Sequence, residues 1–385
     1  MEVKQVYNLV NNATKEVLGE SAILQEDLSN VVDIGDAVFN ANAVDRYVKS
    51  LVNHIGRVVF VDRKYQGGAP SVLMDGWEFG SVMEKIRIKL PEATENESWD
   101  LESGASYDTN IFTAPKVSAK FYNKRVTFEV PMSFTEKQVK QSFSSAEQLN
   151  AFTSMIYTAI DNTMTVKLDA LIMRTINTDI AETVFSAYGK GTGFSGASHV
   201  NAVNLLHEYN TKFGTKLTAD KALTDPDFIR FASYTMAVYT DRMSKMSTLF
   251  NVGGTEKFTS QDNLKIVMLS DFASAAGVYL QSDTFHDNYV ALPNADKVPY
   301  WQGSGENYSF ADISHINVKT PSNNTVDISG VLAVMFDRYA LGVSNLDRRV
   351  TTNYNGKGEF FNNWYKMDAG YFIDTDENFV VFFVA

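Results

Sequence analysis

Gly191, Gly193 and Gly196 stand at the G-x-G-x-x-G spacing that lets a backbone approach a pyrophosphate at the start of a helix. Val184 and Phe185 supply a short strand before them, but the segment ahead of that strand is the end of a long helical pattern. No acidic residue follows about twenty positions on, in a second strand, to hold a ribose. Lys190 is followed by Gly191 and not by Ser or Thr, which removes a P-loop, and Ser195 sits one residue short of a nucleophile elbow. These glycines therefore predict a mobile connecting loop. His207 and Glu208 begin a helical zinc-protease pattern, yet Thr211 occupies the place of its second histidine. Asp374, Asp376 and Asn378 open like a calcium loop, but Phe379 stands where such a loop needs glycine, so a hairpin turn is expected. With five scattered histidines and no cysteine, no nucleophile, base and acid come together. No residue is assigned a catalytic, cofactor-binding or metal role, no cofactor is expected, and the chain does not read as an enzyme.

The sequence does organise charge. Its 34 basic and 46 acidic residues give a net charge of −12, which argues against a protein that grips nucleic acid electrostatically. In residues 79–131, Ile86, Ile88 and Leu90 alternate with Lys85, Arg87 and Lys89. Val117, Ala119 and Phe121, then Val126, Phe128 and Val130, resume the period of two, which predicts the strands of one long hairpin. Between them, residues 91–115 carry Glu92, Glu95, Glu97, Asp100, Glu102 and Asp108 and no basic residue. Lys85, Arg87, Lys89, Lys116, Lys120, Lys124 and Arg125 lie on the stems. A loop this long inside a compact domain has a job, and a charge-segregated ribbon needs somewhere to dock. A neighbouring subunit is the natural place, so these basic residues and Glu92, Glu95, Glu97, Asp100 and Glu102 are the predicted intersubunit contacts.

The elements that position such a ribbon are legible in outline. No Gly or Pro interrupts residues 145–179, which as one helix run ~50 Å. Ser144 and Ser145 can cap it, with Glu147 and Gln148 reaching back. Leu149, Phe152, Ile156, Ala159, Val166, Ala170 and Met173 form an apolar row. Met155, Ile160, Met164, Leu168, Leu171 and Ile172 widen it, which predicts packing against a sheet built from the hairpin base and strands around 362–373. Ahead lies an acidic arm with two helical patterns, one around Val6, Val10, Ala13 and Val17 and the other over 38–55, and a strand at 58–61. Behind lie helices at 199–213 and 225–250, the latter capped by Asp225 with Pro226 at its first position, then a strand at 264–269, a helix at 270–280 and a strand at 331–336. The chain closes in two strands about a turn at 374–378, and its apolar end is expected to be buried. No apolar run is long enough to span a bilayer.

Taken with this order of parts, LKIVMLSDFAS (264–274), SDTFHDNYVALP (282–293) leading into VPYWQG (298–303), VLAVMFDRYALGV (331–343) and NYNGKGEFFNNWYKMDAGYFIDTDENFVVF (353–382) resemble the major capsid proteins of tailed bacteriophages, with the Hong Kong ninety-seven-type or Johnson fold. The resemblance implies an α+β fold with an N-terminal arm (1–55), a first part of the peripheral domain (56–78), an extended β-hairpin loop (79–131), the peripheral domain with its long spine helix (132–199, the helix at 145–179), an axial α/β domain (200–345) and return strands (346–385). It implies a shell subunit that partners itself in hexamers and pentamers, assembled in a bacterial host cytoplasm into an icosahedral virion capsid around double-stranded DNA, without sequence-specific binding and without a membrane. Scaffolding is expected as a separate protein, with portal and decoration proteins as further partners. Some members cross-link a lysine of the extended loop to an asparagine; here the tip has no lysine between Pro91 and Pro115, only Lys89 and Lys116 at its margins, so that chemistry is not expected. An encapsulating nanocompartment shell of the same fold, and a nucleotide-binding enzyme using the Gly191 loop, are the alternatives.

Overall fold

The computed structural model describes residues 11–12, 14–16, 18, 63–72, 83–95, 110–135, 146–281, 295–302 and 309–385. The expected helix over 38–55, the strand at 58–61 and most of the acidic tip lie outside them. The chain divides into two compact units, one of Met1–Tyr65, Val130–Thr163 and Val350–Tyr365, the other of Gln66–Glu129, Met164–Arg349 and Lys366–Ala385.

The larger unit is built on a five-stranded sheet. Strands β4 (Ala202–Asn204), β5 (Leu264–Leu269), β6 (Asp296–Val298), β9 (Val331–Asp337) and β12 (Phe379–Phe383) lie in the order β4-β12-β9-β5-β6. Every residue of β9 and β12 is buried, and their unbroken apolar runs are what strands covered on both faces require. β12 pairs antiparallel with β9 and parallel with β4, so the last residues of the chain lie inside the sheet. Gly330 closes this arrangement: its φ is 84°, and a Cβ there would stand 2.0 Å from the Val384 carbonyl oxygen. Helices α2 (Leu205–Phe213), α3 (Ala219–Ala222), α4 (Pro226–Met243), α5 (Ser270–Gln281) and α6 (Phe310–Ile313) and the hairpin β7 (Ile316–Lys319) with β8 (Thr325–Ile328) belong to the same unit. The Asp225 carboxylate accepts from the Asp227 and Phe228 amides, with Pro226 behind it, as the sequence predicts. α4 ends at Met243 and not at 250, because the chain turns back there: Thr259 N donates to Met243 O (2.7 Å) and Ser247 pairs with Lys257.

Helix α1 (Ala146–Tyr188) is longer than expected, with 43 residues and a length of about 65 Å. Val184 and Phe185 belong to it and form no strand. Gly189, at φ 63°, stops it by donating to Phe185 O. Its buried line is Ile160, Met164, Leu171, Ile172, Ile176 and Ile180, whereas Val166 is 53% exposed and Ala159 and Ala170 face solvent. The buried face is therefore the flank of the expected row. A three-stranded sheet runs β10-β11-β3, from β10 (Leu341–Asn355), β11 (Phe360–Ile373) and β3 (Arg125–Thr135). In the smaller unit the Tyr157 ring meets Tyr365 of β11 edge-on, and in the larger the Arg174 guanidinium lies over the Tyr371 ring, 5.2 Å from its centre.

Candidate functional site

The hairpin stem consists of β1 (Met83–Ile88) and β2 (Val117–Tyr122), antiparallel, with Lys85 opposite Lys120, Ile86 opposite Ala119 and Ile88 opposite Val117. Because directly opposed residues share a face, Met83, Lys85, Arg87, Tyr122, Lys120 and Ser118 form one side, and Glu84, Ile86, Ile88, Phe121, Ala119 and Val117 the other. The polarity is inverted. Ile86 and Ile88 are each 66% exposed, Phe121 64% and Val117 57%, while the side chains of Lys85 and Arg87 are only 15% and 13% exposed.

What draws the basic face inward is the turn between β11 and β12. Arg87 pairs with Asp374 and Asp376 and donates to Glu377 at 3.1 Å. Lys85 donates to Asp374 (3.0 Å) and to the Tyr339 carbonyl, Lys120 pairs with Asp374 and Asp376, and Lys257 holds Glu377 from another loop (3.1 Å). The Asp374 side chain is wholly buried. Burial opposes its charge, but Lys85, Arg87 and Lys120 outweigh that and hold its carboxyl below the usual carboxylate range. Burial pulls the Lys85 amine down against the opposing pull of Asp374, and burial, then Asp374, pushes the Tyr122 hydroxyl up. Two lysines opposed across a ladder repel one another unless an acid lies between, and Asp374 accepts from both. The seat is itself buttressed: Gly253 N donates to Thr375 O (2.8 Å), Thr255 Oγ1 to Asp376 O (2.7 Å), and a Cβ on Gly253 would stand 1.9 Å from Asp376 Oδ1.

Of the residues singled out by charge, the structure thus brings Lys85, Arg87 and Lys120 together with Asp374, Asp376 and Glu377 of the same chain. Lys89, Lys116, Lys124, Arg125, Glu92 and Glu95 are exposed; Glu97, Asp100 and Glu102 lie outside the described residues. In the sequence Asp374 and Asp376 open like a calcium loop, and no local pattern ties them or Glu377 to the hairpin stem. Among the described residues no three His, Cys, Asp or Glu side chains are grouped to hold a metal ion.

The Gly191 loop also has a different use. Gly191 O accepts from Asp327 N (2.8 Å), and a Cβ on Gly191 would lie 2.1 Å from Thr325 O. Phe194 is buried against the rings of Tyr188 and Phe383. Asn204 Nδ2 donates to the carbonyls of Phe194, Gly196 and Ala385, while its Oδ1 caps α2 at His207 N. The glycines allow backbones to meet, and the loop packs over the end of the chain instead of swinging free.

A family model described as Phi29-like phage major capsid protein matches residues 10–383. The chain belongs to that family. Among solved structures, the capsid structure of Staphylococcus phage Andhra aligns with a TM-score of 0.53 at 10% identity, over 86% of this chain and 87% of that one. A chain from the structure of the head fiber and inner core protein gp22 of native bacteriophage P68 aligns with a TM-score of 0.48 at 11% identity, over 86% and 90%. No curated protein sequence matches. The likeness to the Andhra capsid, at that identity, is one of fold: this is a phage major capsid protein with the Hong Kong ninety-seven-like α+β fold, and its role is structural and not catalytic. Among the described residues no helix is long and apolar enough to cross a membrane.

In this capsid protein one further acid lies near the seat. Asp179 of α1 is 1% exposed, and its Oδ2 has no hydrogen-bond partner. Burial, then the charges of Asp374 and Glu182, push its carboxyl well above the usual range, so it stays neutral where Asp374 is ionised.

Proposed function

We propose that this chain is the shell subunit of an icosahedral phage head, associating as hexamers and pentamers around double-stranded DNA, with the hairpin as a main contact between neighbours. The observation that carries this is the inverted stem. A two-stranded ribbon whose charged face is satisfied by its own chain and whose apolar face is left in solvent is marginal alone, and exposed apolar patches of that kind mark protein contacts. Lys85, Arg87 and Lys120 set the position of the ribbon. Glu92, Glu95, Glu97, Asp100 and Glu102 of the tip, and Lys89, Lys116, Lys124 and Arg125 outside the seat, are the charged contacts between subunits. In this reading α1 is the spine of a peripheral domain, residues 200–345 are the axial domain at the capsomer centre, and 346–385 return to the periphery. The net charge of −12 fits a wall that encloses DNA without gripping it. Scaffolding and portal proteins are separate partners, and assembly takes place in the host cytoplasm.

Electron microscopy of the purified chain tests this directly: closed shells or rings of five or six subunits are expected, and monomers or dimers alone at every concentration and salt would overturn it. Changing Glu92, Glu95 and Glu97 together to Lys is expected to impair shell formation at low salt, where surface charge acts furthest.

A further inference from the structure

β10 and β11 are joined by a turn at 356–359, and Asn355, which leads into it, is followed by Gly356 in the one Asn-Gly pair of the sequence. A glycine nitrogen has no side chain beside it, so it is the backbone amide best able to close a five-membered ring on the side-chain carbonyl carbon of a preceding asparagine. The structure prepares Asn355 for that reaction. Its Oδ1 accepts from Lys357 N and from Gly358 N, each at 3.1 Å, which folds the side chain over the peptide that follows it and leaves Nδ2 as the group that can depart. Two backbone donors on one carbonyl oxygen polarise the carbon and stand ready for the negative charge that gathers on the oxygen during attack, the arrangement of an oxyanion hole. The turn is fixed from its other side: Glu359 has a φ of 49°, a Cβ on Gly358 would stand 2.5 Å from the Phe360 ring, and the Tyr354 and Phe361 rings meet with centres 4.7 Å apart. Residues 351–359 are all exposed, so water reaches the side chain, whereas the amides of Asn204, Asn251 and Asn378 are buried and engaged in hydrogen bonds.

We infer that Asn355 is a self-modifying site, which in the folded chain loses ammonia through a ring closed with Gly356 and becomes a mixture of aspartate and isoaspartate. Gly356 N gives its proton to hydroxide and bonds to Asn355 Cγ. The Cγ–Nδ2 bond breaks, and Nδ2 departs as ammonia with a proton from water. The resulting succinimide takes up one water, which opens it at either carbonyl. In sum an amide and water give an acid and ammonia, and nothing is oxidised or reduced. The two products differ in what they do to the turn. Aspartate keeps an oxygen over Lys357 N and Gly358 N and, being charged, holds them more strongly. Isoaspartate routes the main chain through the former side chain, lengthens it by a methylene and moves that acceptor away. Either product adds a negative charge next to a turn that already holds Glu359.

Peptide mass spectrometry tests this on the full chain, held at mildly alkaline pH either folded or unfolded in urea and digested at intervals. In the folded chain the peptide carrying Asn355 is expected to show the mass gain of an amide-to-acid exchange before any other asparagine does, as two separable products. The rate should rise in proportion to hydroxide, because the attacking nitrogen must lose its proton. Gly356→Ala leaves the turn intact, since Gly356 lies outside the left-handed region and an added Cβ would meet only the Tyr354 ring, at 3.9 Å, yet its methyl hinders the nitrogen. That variant is expected to abolish the gain over the same interval. A folded chain that stays unchanged while the unfolded chain reacts would mean that the turn protects Asn355. No change in either state, or a gain that survives Gly356→Ala, would rule out the ring. Each of these results overturns the inference, and none of them bears on the shell reading.

Discussion

Two buried aspartates on neighbouring elements carry opposite pH signatures. Asp374 is held ionised by Lys85, Arg87 and Lys120, so its contribution to stability is present above the unfolded carboxyl value of about 3.9 and is lost as pH falls through its lower folded value. Asp179 is held neutral, so its contribution is complete below about 3.9 and declines as pH rises toward its raised folded value. Asp374→Asn is expected to destabilise the chain at pH 7 by about 3 kcal/mol, since it leaves buried cations short of a partner, and the loss should shrink in acid. Asp179→Asn is expected to stabilise it at pH 7 by about 1–3 kcal/mol, with the gain fading toward pH 3. Urea unfolding of the dilute, unassembled chain from pH 3 to pH 8 measures both, and parallel pH profiles for the two variants would contradict this account. The basic half of the seat was legible in the alternation of Lys85 and Arg87 with Ile86 and Ile88. The acidic half was not, because Asp374 stands 287 residues from Arg87 and no local pattern announces so distant a pairing.

At the scale of elements, α1 shows where periodicity stops being informative. Its existence follows from the absence of Gly and Pro, yet it runs beyond the expected end at 179 as far as Gly189, and the buried face is one the sequence treats as a flank. Apolar residues occupy so much of the circumference that two rows at helical spacing fit, and the choice between them is made by what packs against the helix. The consequence is measurable. Ile176→Ala, in the buried line at 0% exposure, is expected to cost about 2–5 kcal/mol, whereas Val166→Ala, at 53% exposure, should change unfolding free energy by no more than about 0.5 kcal/mol. Equal costs would mean that both rows are covered in the folded subunit. The strands β5, β9 and β12 were easier to read, since runs such as VLAVMFD and FVVFF leave a strand little choice but burial on both faces. The use of Gly191 was not readable at all: the close approach it permits to Thr325 exists only once β8 is folded beside it.

For the whole molecule, the inverted stem separates folding from assembly. The charged side of the hairpin is satisfied within the chain, and the apolar side lies in solvent, so substitutions on the outer side should leave the subunit folded while removing area from the shell contact. Full burial of an Ile or Phe side chain is worth about 1.5–3 kcal/mol, and each 1.4 kcal/mol is tenfold in an equilibrium constant. Replacing Ile86, Ile88 and Phe121 together by Ser is therefore expected to leave the urea midpoint of the dilute chain nearly unchanged and to raise the concentration needed for assembly, followed by light scattering, by at least about tenfold. Arg87→Gln should do the converse in part: loss of a buried ion-pair partner loosens the stem on its seat, seen as faster amide exchange across 83–88 and 117–122, with the apolar side untouched. If the triple Ser variant assembled at the concentration of the unaltered chain, the outer side would be a solvent face even in the shell, and the reason for its composition would have to lie elsewhere.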